Sequence, residues 1–165
     1  MKRIIFSVIV TLFIVLLFAL FLERDTYCAG TRIDAIEDAR VKTSEQGESP
    51  KYTEHELNIL ARVVYAEAGS DWITDEHQRA VASVVINRKN DHRFPNTIED
   101  VVYQKGQYAC VYNGMIKRSP NQRAYDNAKY VLDNGITIPC NVVWQSQFKQ
   151  GRGVYKYIQS HYFCY

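Results

Sequence analysis

The chain has 165 residues, 47% of them hydrophobic and 23% charged, with a formal net charge of +2, enough for one ordinary domain and little else. No stretch resembles a nucleic-acid-binding module. The four cysteines contain no Cys-x-x-Cys, and His55, His77, His92 and His161 fall at no ligand spacing, so neither a metal nor another cofactor is expected.

The chain opens with Met1-Lys2-Arg3, followed by a run from Ile4 to Leu22 broken only by Ser7 and Thr11. A secretory apolar core usually spans about 7–15 residues, whereas a bilayer needs roughly 20. Residues 1–22 therefore read as a single-pass signal-anchor. Lys2 and Arg3 hold the N-terminus inside, and the remainder lies outside the cytoplasm. A long signal peptide cleaved near residues 22 to 30 would export the same domain in secreted form. Residues 23–50 hold four basic and seven acidic side chains without an apolar pattern, and end polar and breaker-rich. They read as a flexible stalk.

Residues 51–165 form the folded part. Thr53, followed by Glu54 and Glu56, predicts a helix start. Leu57, Leu60, Ala61, Val64 and Ala68 mark its buried stripe, and Gly69 its end. Asp75 with Gln78 predicts the cap of a second helix, with Ala80, Val81, Val84 and Val85 inward and a close near Asn87-Arg88. Thr97 and Asp100 cap a short third helix. Asn113-Gly114 predicts a small hairpin over Tyr108–Lys117. Ser119-Pro120 predicts the start of a last helix carrying Ala124, Ala128, Val131 and Leu132 and stopping at Gly135. The last thirty residues are β-prone and turn-rich. The fold class expected is α+β, helices first and short strands last. Of the three possible cysteine pairings, Cys110–Cys140 inside the domain is favoured.

Glu67 is the informative residue. Positions 57, 60, 64 and 67 share one helical stripe, so a carboxylate occupies a place the pattern reserves for an apolar side chain. Burying an ionised carboxylate is expensive, and a carboxyl kept protonated is what a glycosidase needs to protonate a leaving oxygen. A structural alternative has Glu67 swing to solvent or pair with an arginine such as Arg88.

The run Ala61-Arg62-Val63-Val64-Tyr65-Ala66-Glu67-Ala68-Gly69 closely resembles the signature of the SleB/CwlJ-type cell wall hydrolases. The likeness continues in Ala80 to Arg88, Phe94-Pro95, Val101-Val102-Tyr103-Gln104, Gln107-Tyr108 and the closing His161-Tyr162-Phe163. It departs in two places. The acidic residue that usually follows the glycine comes one position late, at Asp71, and the usual Phe-Ser after glutamine is Tyr108-Ala109. The resemblance implies a lysozyme-like helical catalytic domain that cuts the muramic acid–glucosamine backbone of peptidoglycan, with Glu67 as the catalytic glutamate. Asp71, Asp75, Glu76, Glu99, Asp100 and Asp126 all fall on loops or helix starts, so no second carboxylate shares Glu67's apolar setting. One carboxylate suffices for a lytic transglycosylase, which closes a 1,6-anhydro ring instead of adding water, and that reading is ranked above hydrolysis.

Tyr65, Trp72, Tyr108 and Trp144 flank the motifs and are expected to line sugar subsites, with Tyr112 and Phe148 as further aromatic candidates. Gln107, Gln145, Gln147 and His161 can hydrogen-bond the glycan. The expected partners are peptidoglycan strands and, through residues 1–22, a membrane; the chain is expected to be a monomer. Two competing readings are a thiol amidase or peptidase using Cys110 or Cys140 with His161, and a non-catalytic wall-binding module.

Overall fold

The computed structural model describes residues 50–165. The expected membrane segment and nearly all of the stalk lie outside these residues. Among the described residues, no helix is long and apolar enough to cross a membrane. Five α-helices come first: α1 (Glu54–Ala68), α2 (Asp75–Asn90), α3 (Ile98–Tyr103), α4 (Ala109–Tyr112) and α5 (Gln122–Asn134), with a 3₁₀ turn at Met115–Lys117 before α5. Three short strands follow, β1 (Trp144–Ser146), β2 (Val154–Ile158) and β3 (His161–Cys164), paired antiparallel in the order β1-β3-β2. The expected order of helices then strands is observed.

Local chemistry fixes the helix ends. Thr53 and Glu56 form a reciprocal capping box: Thr53 Oγ1 accepts from the Glu56 amide at 3.2 Å, and Glu56 Oε2 accepts from the Thr53 amide at 2.9 Å. Thr97 caps α3 as expected. Two other caps differ. Thr74, not Asp75, caps α2 through the His77 amide, which leaves Asp75 to accept from Arg123 Nε at 2.6 Å. Asn121, not Ser119, caps α5, its side-chain oxygen accepting from the Ala124 amide at 2.9 Å. The expected hairpin at Tyr108–Lys117 is instead α4 and the 3₁₀ turn. Gly114, at φ +79°, does make the tight turn, but it joins two helical turns rather than two strands. Arg62 of α1 holds that turn by donating to the carbonyls of Ile116, Lys117 and Arg118.

α1 packs mainly on α5 and α2, and these three helices surround the core. Leu60, Ala61, Val63 and Val64 meet Ala80, Val84, Val85, Ala124 and Ala128, all without solvent exposure. One polar chain crosses this core. Asn127 of α5 donates to Asp75 Oδ1 (3.0 Å) and Gln78 Oε1 (2.8 Å), while Arg79 Nε donates to Asn127 Oδ1 (2.7 Å). Gln78 Nε2 then donates to the Ala68 carbonyl at 2.8 Å, satisfying one of the acceptors that the end of a helix leaves open.

α2 also carries the sheet. Ser83 Oγ accepts from the Thr137 amide (2.9 Å), Asn87 Nδ2 donates to the carbonyls of Pro139 (2.8 Å) and Val142 (2.9 Å), and Arg88 Nε donates to Val143 O (2.7 Å). These side chains fasten the segment that leads into β1. At the β2–β3 turn, Gln159 and Ser160 both have positive φ, 41° and 73°, the pattern of a tight type I′ hairpin. Left-handed backbone is costly for a side-chain-bearing residue. Gln159 offsets it by accepting from Thr74 N and Oγ1 and donating to Trp72 O.

Because Asn127 satisfies buried Gln78 and part-buried Arg79, Asn127→Ala should strand Gln78 Oε1 inside the core and release Arg79 at its edge. The expected loss is about 2–3 kcal/mol, read as a lower urea midpoint at unchanged m-value.

Candidate active site

Glu67 sits in the last turn of α1, where burial on the core side gives way to partial exposure. The expected stripe is buried from Leu57 to Ala68; Glu67 itself is half-buried, at the rim rather than within the core. Gly69 shapes this rim. The Tyr65 ring lies across it so closely that a Cβ there would come within 2.5 Å of Tyr65 Cδ2 and 2.2 Å of the Tyr65 carbonyl oxygen. The absence of a side chain at Gly69 thus holds Tyr65 beside the turn that carries Glu67.

The partner of Glu67 is Cys110, from the inner side of α4. Burial, then the charge of Glu67 and the hydrogen bond to its carboxyl, push the Cys110 thiol up to about 12. Cys110 and Cys164 are free, buried thiols, so the expected Cys110–Cys140 pair does not form. α4 turns Cys110 toward Glu67, and Cys140 is disulfide-bonded to neither of these two. A thiol that titrates so high is protonated at neutral pH and is no nucleophile. This geometry disfavours the thiol-hydrolase reading.

Tyr108, the residue before α4, stands behind Cys110 and is 2% exposed. Burial pushes its phenol up to about 12, against the opposing pull of the nearby Arg88 guanidinium. Expected as a sugar-stacking face, Tyr108 is instead a wall of the site. Arg88 is 3% exposed, its guanidinium carbon lying 5.1 Å from the Tyr108 ring centre and 5.4 Å from those of Phe94 and Trp144. These distances are within cation–π range. Arg88 does not pair with Glu67, and neither residue joins an ion pair among the described residues. Phe94 and Trp144 also meet edge to face at 5.7 Å.

The structure thus gathers Tyr65, Glu67, Tyr108 and Trp144, and adds Cys110, Arg88 and Phe94. Gln107 is half-buried just before Tyr108. No hydrogen bond or ring contact joins Trp72, Gln145 or His161 to Glu67. Trp72 is 64% exposed on the loop held by Gln159. Gln145 lies opposite Phe163 on the inner face of the sheet, its amide oxygen buried without a hydrogen-bond partner among the described residues. Tyr112 is exposed and accepts from the Gly106 amide through its hydroxyl; Gln147 and Phe148 are exposed beyond β1. Among the described residues, no cluster of three or more His, Cys, Asp or Glu could hold a metal ion.

His161 meets His77, a residue for which the sequence offered no role. Their rings stand edge to face at 4.9 Å, and His77 also meets the buried Phe163 at 5.6 Å. Burial, reinforced by the neighbouring His161, lowers His77 to about 4, while Gln159 and Glu76 push the other way.

A helical domain followed by a small antiparallel sheet defines the fold class. The comparisons place the chain within it. The sequence model of the cell wall hydrolase family matches residues 74–164, and the chain belongs to that family. It is 30% identical over 127 residues to the spore cortex-lytic enzyme of Oceanobacillus iheyensis, covering 68% of this chain and 42% of that protein. To the Bacillus cereus spore cortex-lytic enzyme it is 31% identical over 123 residues, covering 68% and 45%. The chain therefore spans less than half the length of the curated relatives it matches. In fold it is similar to the catalytic domain of the Bacillus cereus SleB protein, with TM-score 0.62, 24% identity, and 69% of this chain and 92% of that one covered. The catalytic domain of the germination-specific lytic transglycosylase SleB of Bacillus anthracis gives TM-score 0.61 at 24% identity, covering 69% and 97%.

His77 yields a stability prediction. Its folded value lies below the ordinary 6.5, so the unfolded chain binds more protons between those values, and stability rises with pH across the window. The contribution is fully present above about pH 6.5 and is lost as pH falls toward 4. A shift from 6.5 to about 4 corresponds to about 3 kcal/mol. Urea midpoints at pH 7.5 and 4.5 should differ markedly in the wild type and much less in His77→Leu.

Proposed function

We propose that the chain cleaves peptidoglycan glycan strands at the muramic acid–glucosamine bond as a lytic transglycosylase, with Glu67 as its acid and base. The observation that carries this reading is the contrast between Glu67 and the other carboxylates. Asp75 is tied to Arg123 and Asn127, Glu76 to Lys156, Glu99 to His55, Asp91 to Arg93 and Asp133 to Lys129. Glu56 and Asp100 serve caps, while Glu54 and Asp126 accept from Tyr125 and Gln122. Among the described residues, only Asp71 and Glu67 have no cation, cap, tyrosine or amide partner; Asp71 is exposed on the loop after α1, whereas Glu67 is half-buried and meets the Cys110 thiol. A second acid facing it across a bond, as two-carboxylate glycosidases require, is not built into this rim.

In the proposed reaction Glu67 gives its proton to the glycosidic oxygen as the C1–O bond breaks. The resulting carboxylate takes the proton of the muramic acid 6-hydroxyl, whose oxygen bonds to C1 and closes the 1,6-anhydro ring. Glu67 ends protonated, and no water is consumed. Cys110 suits this cycle because its thiol can donate to the carboxylate without competing for the proton. The family match begins after Glu67, at residue 74, so the role of Glu67 rests on the resemblance carried by Ala61–Gly69 and on its half-buried place at the end of α1. The Bacillus anthracis protein of similar fold is a lytic transglycosylase, which agrees in reaction type. Residues 1–22 are read as holding the enzyme at the membrane, with the domain outside.

Glu67→Gln keeps shape and hydrogen-bonding capacity but cannot deliver a proton. The variant should fold normally, bind sacculi, and lose activity by a factor on the order of 10² or more. Turbidity loss of purified sacculi measures this, and near-wild-type clearing by the folded variant would remove Glu67 from the mechanism.

A further inference from the structure

The outer face of the C-terminal sheet takes no part in the reaction proposed for Glu67. Strand alternation decides what it displays. His161 and Phe163 point to the inner face, toward His77; Tyr162 and Cys164 therefore lie on the opposite face, where Cys164 is fully covered and only the Tyr162 end meets solvent. Pairing sets Ser146, Tyr162 and Tyr157 in one row across the three strands, and Trp144, Cys164 and Val154 in the next. Lys156, opposite Phe163, belongs to the inner side and ion-pairs with Glu76.

The outward row runs from half-buried Ser146 and Tyr162 to exposed Tyr157. Tyr157 is 56% exposed, and its ring centre lies 4.7 Å from that of Tyr162 at an interplanar angle of 47°. Lys149 Nζ lies 5.9 Å from the Tyr162 ring centre. Lys149 and Arg152, both exposed, join no ion pair among the described residues. The chain has no acidic residue after Asp133. A partly exposed tyrosine pair beside two cations that join no ion pair among the described residues marks an interaction surface rather than a solvated face.

We propose that this face docks a carboxylate-bearing stretch of wall glycan strand, with Tyr157 and Tyr162 stacking on pyranose rings and Lys149 and Arg152 meeting the carboxylates. Two features choose this occupant. A pyranose presents a flat face of C–H groups that matches a phenol ring, which a phosphate-linked polyol chain lacks. The two cations, in no ion pair among the described residues, complement the carboxylates of the stem peptides, or of the lactyl group where muramic acid carries no stem. The proposal rests on the wall-glycan reading above.

The test uses the full chain carrying Glu67→Gln, so that sacculi stay uncut, with sacculi stripped of phosphate polymers. Dissociation constants are measured by sedimentation at several salt concentrations. Against this parent, Tyr157→Ala with Tyr162→Ala, and separately Lys149→Glu with Arg152→Glu, should each raise Kd at least tenfold. The charge reversal should also flatten the salt dependence, while Lys105→Glu, an exposed control, should leave Kd unchanged. If the alanine pair fails to fold by circular dichroism, the charge pair in its exposed loop decides. Unchanged Kd in the folded variants overturns the proposal, as does parent binding that vanishes with the phosphate polymers, or a parent dimer that the tyrosine changes split. A parent that binds no sacculi at all overturns the wall-glycan reading itself. Parent binding with unaffected variants overturns only the docking face.

Discussion

The polar side of α2 is the constraint on which the site depends. Gln78, Ser83, Asn87 and Arg88 are buried, with His77, on a helix whose remaining buried residues are alanine and valine. Buried polar groups are tolerated only when paired, and here most of the partners are carbonyls and amides outside α2. Gln78 secures the Ala68 carbonyl beside Glu67; Asn87 and Arg88 secure the segment that delivers Trp144. One helix thereby sets the distance between the acid on α1 and the aromatic wall on β1. An apolar α2 would bury comparable surface, but would leave both ends of the rim unregistered.

The same helix accounts for the setting of Glu67. Arg88 could have quenched a nearby carboxylate, yet it is held by Val143 and ringed by Phe94, Tyr108 and Trp144. Glu67 is left with a thiol that stays protonated and cannot act as its counterion. A group proposed to give and retake a proton gains from such a partner, because a salt bridge would fix it in the charged state.

Much of this was legible in the residues, and the failures have identifiable causes. The three core helices follow from apolar periodicity and caps, and the run Ala61–Gly69 pointed to Glu67 before any geometry was known. Caps slipped by one or two residues where several hydroxyl, amide or carboxylate side chains stand together, as at Thr74-Asp75 and Ser119 to Asn121: sequence does not say which of them faces the open amides. Asn113-Gly114 specifies a turn but not what it joins, hence the hairpin expected at α4. Tyr108 was read as a sugar platform because a tyrosine beside a motif looks the same whether it faces solvent or core. The Cys110–Glu67 contact and the His77–His161 pair bring together residues 43 and 84 positions apart, and no local pattern encodes such meetings. Asn87 and Arg88 were visible as a motif, but their work as ties to residues 139–143 needed the fold.

The central claim is that one carboxyl serves as acid and then as base, so that cleavage consumes no water. Digestion of purified sacculi by the full chain in H₂¹⁸O, followed by mass spectrometry of the released fragments, tests this directly. The account predicts 1,6-anhydromuramic ends with no ¹⁸O incorporated at the cut. Reducing ends carrying one ¹⁸O per cleavage would contradict it and make the enzyme a hydrolase.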